Sequence, residues 1–302
     1  MNPERSSRLL FSFYAVSDLH ITQKARGKAA GKRYKAWKYL ENTECSFLLI
    51  AGDITNGCGR EEFENARAEL DPLISRFPVL AAYGNHDYIP NSPNAAASPE
   101  SRRQFSHWMQ EKNLKHGCGM EFFNGIQCFE ARYRGVQVLS MDCAATYPAA
   151  AAGDEQLAWL DEKLRHSDHE RFRIVVSHFP LTNYVPGRTG RKQMSYVRDS
   201  LRQQRLLEKH KNILFFSGHT HFSLASDSPS MLYDESSRVA YFNTASVGNT
   251  LPNPGGGKEK GAENTSGSMG LRAEVSESGI QISGIDFLNG SELEACKFKL
   301  AL

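Results

Sequence analysis

Short apolar runs that repeatedly break into a burst of polar residues constrain this chain more than any other feature. The runs are Leu9–Val16, Phe47–Ala51, Val79–Tyr83, Val136–Met141, Phe172–Val176, Ile213–Phe216 and Val239–Phe242. Their length and their Val, Ile and Phe content suit buried strands. Amphipathic stretches lie between several of them. Phe63, Ala66, Leu70, Leu73, Ile74 and Phe77 recur at helical spacing. Leu157, Leu160 and Leu164 do the same behind Asp154, read as a helix cap. Ser98-Pro99-Glu100 marks a helix start, with Pro at the first helical position. Strands alternating with helices predict an α/β architecture. From Val239 onward, strand-like runs follow one another with no helix between. Asn91–Pro99 and Pro252–Gly270 read as mobile loops inside one domain spanning 1–302.

Composition removes several classes of function. The chain has 302 residues, and 40% of them are hydrophobic, enough for a sizeable core. Lys and Arg total 36 against 34 Asp and Glu. This balance provides no global field for nucleic acid or for an anionic membrane, so neither is expected as a partner. Leu9–Val16 leads into polar residues rather than a small-residue cleavage site, which favours a buried strand over a signal peptide. No segment reaches the roughly 20 apolar residues of a membrane span. The six cysteines (45, 58, 118, 128, 143 and 296) form no C-x-x-C pair, which points to a reducing, cytoplasmic setting. Cys58 lies close in sequence to a candidate ligand, although a plain free thiol explains it more simply. Nothing in the composition sets the oligomeric state.

Five of the apolar runs end in residues with ligand chemistry. They lead into Ser17-Asp18-Leu19-His20, Gly52-Asp53, Gly84-Asn85-His86-Asp87, Ser177-His178 and Ser217-Gly218-His219-Thr220-His221. Loops beyond the carboxyl ends of sheet strands are where α/β proteins place their sites. Singly, most of these clusters are weak. Asp18 could be a helix cap beside a surface His20, and Gly52-Asp53 could be a turn. His219-x-His221 suits a metal better, and Gly84-Asn85-His86-Asp87 is the most distinctive. Jointly they are hard to explain as surface. Of ten histidines, five fall in these clusters. Imidazole, carboxylate and one amide oxygen suit Mn, Fe or Zn ions. A shared carboxylate could bridge two such cations, and Asp53 is the best placed in chain order.

This order of motifs resembles the calcineurin-like metallophosphoesterase family: D-x-H, G-D, G-N-H-D, a lone H, then G-H-x-H. The match runs from Asp18 to His221, with all five blocks present. The resemblance implies a four-layer αββα sandwich of two mixed sheets. It implies that Asp18, His20, Asp53 and His221 bind one metal, and that Asp53, Asn85, His178 and His219 bind the other. His86 would face the substrate without ligating, and Asp87 would orient its ring. The helix around Gly153–Leu160 also resembles the one preceding the family's lone-His strand.

The expected activity is hydrolysis of a small phosphodiester by hydroxide activated on the metal pair. The spelling of the motifs looks closest to bacterial-type cyclic-nucleotide phosphodiesterases. Phosphomonoester hydrolysis on a nucleotide, sugar or lipid headgroup is the near alternative. Asp53-Ile54-Thr55-Asn56-Gly57 lacks the Asp-Arg-Gly run of serine/threonine phosphatases. A non-catalytic binding module on the same fold would be expected to lose ligands. Substrate contacts are less legible. Arg188 and Arg191 could touch a phosphate, although a solvated basic loop explains them more simply; Asn56, Arg60 and Asn249 are weaker candidates.

Overall fold

The structure is a computed structural model. It describes residues 8–24, 27–90, 96–123, 125, 128–142, 152–168, 170–181, 200–225, 231–251 and 267–301. The helices are α1 (Lys28–Glu41), α2 (Arg60–Ile74), α3 (Pro99–Leu114), α4 (Asp154–His166) and α5 (Ser200–His210). The first sheet orders its strands as β13 (Ser291–Ala301), β12 (Gly279–Asp286), β11 (Met269–Ser276), β1 (Leu9–Val16), β2 (Leu48–Ala51) and β3 (Val79–Ala82). The second runs β4 (Gly119–Phe123), β5 (Cys128–Tyr133), β6 (Val136–Met141), β7 (Arg173–Ser177), β8 (Ile213–Ser217), β10 (Val239–Asn243) and β9 (Met231–Asp234).

Both sheets are mixed. In the first, β1, β2 and β3 are parallel while β11 joins β1 antiparallel. In the second, β6, β7, β8 and β10 are parallel and the edges antiparallel. The sheets pack face to face. Phe13 on β1 meets Phe216 on β8 edge-on at 5.9 Å, and Phe242 on β10 meets Phe298 on β13 at 5.6 Å. Helices cover the outer faces. Ile174 and Val176 join the inter-sheet core, whereas Val175 packs with Leu157, Leu160, Leu164 and Leu207 of α4 and α5. A strand buried on both faces needs apolar residues at every position, which is why these runs read as continuous.

Each of the seven apolar runs forms a strand, with ends shifted by one residue at most. Ser98 caps α3 by accepting from Ser101 N. Asp154 is not the cap of α4: Gly153 occupies that position, and Asp154 sits in the first turn, where a carboxylate suits the helix dipole. The loop placed at 252–270 ends earlier, because Met269 and Gly270 already pair with β12. The stretches 91–95 and 252–266 lie outside the described residues. Among the described residues, no helix is long and apolar enough to cross a membrane.

Candidate metal centre

The loops after β1, β2, β3, β7 and β8 meet at one rim, where backbone bonds stitch them together. Asp18 N donates to Gly52 O (3.0 Å), His20 N to Asp53 O (3.1 Å), Gly218 N to His178 O (3.0 Å) and Gly248 N to Asp18 O (3.1 Å). Two glycines allow the loops to close. Gly52 has φ +86°, and a Cβ there would lie 2.6 Å from His178 Nδ1; a Cβ on Gly84 would overlap Asp53 Oδ1. Gly84→Ala should therefore displace the Asp53 carboxylate. A destabilisation of roughly 1–3 kcal/mol and lower metal content are expected, read by thermal melting and metal analysis. Unchanged values for both would contradict this tight approach.

All seven candidate ligands gather around Asp53. Its Oδ2 lies 3.2 Å from His178 Nε2 and 3.7 Å from His20 Nε2. Its other oxygen, Oδ1, is occupied by the His86 backbone N–H at 2.9 Å. One oxygen thus faces two groups of donors. On one side, Asp18, His20, Asp53 and His221 each offer a ligand atom, all within 4.8 Å of one another. On the other, His178 Nε2 lies 3.2 Å from Asn85 Oδ1 and 3.2 Å from His219 Nδ1.

Proton bookkeeping makes these short distances informative. His178 Nδ1 sits 2.9 Å from Ala51 O, and His221 Nδ1 sits 2.9 Å from Asn249 O. A carbonyl can only accept, so each Nδ1 carries the proton, and in the neutral ring Nε2 presents a lone pair. In that form His178 Nε2 turns a lone pair toward a carboxylate oxygen, an amide oxygen and another imidazole nitrogen; without metal, Asp53 favours a proton in that place. His221 Nε2 likewise faces Asp18 Oδ1 at 3.0 Å and His20 Nε2 at 3.1 Å. Asp18 Oδ1 is buried and, among the described residues, has no hydrogen-bond partner besides the His221 ring. Its partner oxygen Oδ2 accepts from Ser17 Oγ and from His219 N. Among the described residues, no Lys or Arg pairs with Asp18 or Asp53. Two buried carboxylates surrounded by converging lone pairs fit a pair of cations. The donor set of imidazole, carboxylate and one amide oxygen suits Mn, Fe or Zn.

Titration of the metal-free cage follows the same logic. Burial works against charge on His178, but the charge and hydrogen bonding of Asp53 push it up to about 9. Burial holds His20 down to about 4, and burial followed by the charge of His178 holds His219 down to about 3. Burial also penalises the Asp53 carboxylate, yet His178 holds it below the usual range. The cage therefore attracts positive charge even without metal.

Backbone strain converges here too. Asp18, His20, Asp53, His219 and His221 all have positive φ, between 46° and 69°. Each such residue costs on the order of 1–3 kcal/mol and is typical of functional sites.

His86 lies beside the cage, 4.7 Å from the His20 ring centroid. One expectation is corrected: Asp87 does not orient the His86 ring. That ring is held through Nδ1 by Asn56 O at 2.9 Å. The Asp87 carboxylate turns the other way, accepting from Ile54 N, Thr55 N, Thr55 Oγ1 and Gly84 N. Successive residues of a tight 3-10 turn (Asn85–Asp87) project in different directions, so Asp87 braces the Asp53 loop instead. Burial and then the charge of Asp53 push its carboxyl up to about 6.

The weaker candidates separate. Asn56 acts through its carbonyl on His86, and Asn249 through its carbonyl on His221. Arg60 is exposed and pairs with Glu64 along α2. Arg188 and Arg191 lie outside the described residues. Cys58 is buried near the site, its N–H donating to Thr55 Oγ1. Burial followed by the charge of Asp87 pushes its thiol up to about 11, which makes it a poor nucleophile. Two supporting residues are not singled out by the sequence motifs. Asn243 holds the last motif, accepting from Thr220 Oγ1 (2.8 Å) and donating to Gly218 O (3.0 Å). Buried Arg33 donates to Leu19 O (3.0 Å), between Asp18 and His20. Asn243 directly follows an apolar run, the same signal that marks the other clusters.

Two packed mixed sheets with a histidine and carboxylate cage at their shared rim define a metallophosphoesterase architecture. Comparison with known proteins agrees: residues 11–223 match the model of the calcineurin-like phosphoesterases, and the chain belongs to that family. Among solved structures it is similar to the purple acid phosphatase PPD1 of yellow lupin (Lupinus luteus), with TM-score 0.63 and 13% identity over 98% of this chain. The chain spans only 54% of that phosphatase. It is also similar to GAP50, the anchor in the inner membrane complex of Plasmodium, with TM-score 0.60 and 15% identity over 98% of this chain and 90% of GAP50. At these identities the likeness concerns the fold. No curated protein matches the chain.

Proposed function

We propose that the protein is a dinuclear-metal phosphoesterase acting on a small phosphodiester, with a cyclic nucleotide as the leading candidate class. The observation that carries this reading is the single oxygen Asp53 Oδ2, shared between the donors around His20 and those around His178. Asp18, His20, Asp53 and His221 would hold one cation; Asp53, Asn85, His178 and His219 would hold the other. Two such ions would neutralise phosphate charge and acidify the attacking water.

The protein's own groups do the rest. His86, with Nδ1 committed to Asn56 O, has no partner for Nε2 among the described residues and can offer it to a substrate oxygen. As the imidazolium it can stabilise charge there or deliver a proton to the leaving oxygen. Asp87 and Thr55 keep the loop carrying Asp53 and His86 rigid.

Two other readings compete. A phosphomonoesterase would use the same cage, and an assay decides between them. A binding module has a fold precedent in GAP50, but the complete donor set and the available His86 Nε2 favour catalysis. We place the whole span 1–302 in one catalytic unit and in a reducing, cytoplasmic compartment, with Cys45, Cys58, Cys118 and Cys296 free as thiols.

Chelator-treated protein should lose hydrolysis of bis-p-nitrophenyl phosphate, and added Mn, Fe or Zn should restore it. Faster turnover of p-nitrophenyl phosphate would shift the reading to a monoesterase. Hydrolysis that survives complete metal removal would overturn it.

A further inference from the structure

Helix α1 carries a cation to the edge of the centre with no carboxylate partner among the described residues. The position of the helix is set by Arg33, which is buried. Its Nη1 donates to Leu19 O (3.0 Å) between two candidate ligands, and Nε and Nη2 each reach Glu69 of α2 at 2.8 Å. Arg33 thus ties α1 to the Asp18–His20 loop. One residue earlier, Lys32 extends toward the His221 side. Its Nζ donates to Asn249 Oδ1 at 3.0 Å, and the carbonyl of the same Asn249 accepts from His221 Nδ1 at 2.9 Å. A single residue therefore separates the ammonium from a candidate metal ligand.

Lys32 is half-buried, and among the described residues no carboxylate pairs with it or with Lys28. Lys38, further along the helix, does have one, Glu41. Burial and then the charge of Lys28 lower the pKa of Lys32. A partly desolvated cation beside a second cation, whose partner among the described residues is a neutral amide, favours an anion. The two metals inferred nearby would add to the positive field. An anion at this position relieves all of these terms together.

We propose that Lys32, backed by Lys28, binds a second phosphate of the substrate, beyond the one cleaved at the centre. An ammonium is a compact point charge that can donate to a phosphate oxygen from many directions, which suits a recognition role away from the chemistry. This inference rests on the phosphoesterase reading and narrows its substrate class to small phosphoesters bearing a further phosphate, which a cyclic mononucleotide lacks.

The test uses two substrates with the same scissile bond and leaving group: thymidine 5′-(p-nitrophenyl phosphate), with and without a 3′-phosphate. On the manganese-loaded full chain, the 3′-phosphorylated ester should show a kcat/KM about tenfold higher, mostly through KM, as for a charge-assisted hydrogen bond. The advantage should shrink with added salt. Lys32→Gln should bring the ratio of the two kcat/KM values close to one, whereas Lys35→Gln, which alters an exposed lysine of the same helix, should keep it. Equal kcat/KM for the two esters in the unmodified protein, or a preference retained by Lys32→Gln, overturns the inference while leaving the phosphoesterase reading intact. Failure to cleave either ester overturns that reading and this inference with it.

Discussion

Asp53→Asn is expected to strip the centre of its metals and to abolish turnover. The substitution is nearly isosteric, and its remaining oxygen can still accept the His86 N–H now bonded to Oδ1. What changes is the atom facing His20 and His178. An uncharged amide cannot offset two cations, and an NH₂ turned inward would repel them. Removing the shared charge should lower metal content from two ions per chain to one or none. Since metal chemistry contributes several kcal/mol to such reactions, kcat should fall at least about a thousandfold. Metal analysis and steady-state kinetics on the same preparation check this. Two retained ions would remove Asp53 from the bridge.

His86→Ala should behave differently. The ring lies outside the cage and is held by the Asn56 carbonyl rather than by a cage residue. Metal content should stay at the unmodified level. The kcat loss should be about 10²–10⁴-fold for a poor alkoxide leaving group, the usual range for a lost general acid. It should be much smaller for p-nitrophenolate, which departs without a proton. Equal losses on both leaving groups would assign His86 to charge stabilisation instead.

Both predictions concern residues legible in the sequence, and the reason is physical. A strand buried on both faces needs an unbroken apolar run, and a site at its carboxyl end needs polar residues immediately after it. Runs such as Phe172–Val176 and Ile213–Phe216 therefore announce both strand and site. The less legible parts break that pattern. Helix α1 buries Arg33, Ala36, Trp37 and Leu40, and a buried arginine reads as a polar position. Strands β4 and β5 carry Glu121, Glu130 and Arg132, which interrupt their apolar character. The family resemblance assigns Asp87 to orient the His86 ring, whereas the fold brings up a carbonyl from Asn56. Backbone acceptors leave no mark in a sequence, and neither does the left-handed backbone shared by five of the candidate ligands.

In the proposed dinuclear centre, Asp53 Oδ2 is the meeting point of two cation sites. Anomalous diffraction from manganese-loaded crystals tests it most directly. Two peaks should flank that oxygen, roughly 3.5–4 Å apart, one against Asp18, His20 and His221 and the other against Asn85, His178 and His219. A map with no peak at this rim, or with manganese bound only elsewhere on the protein, would contradict it.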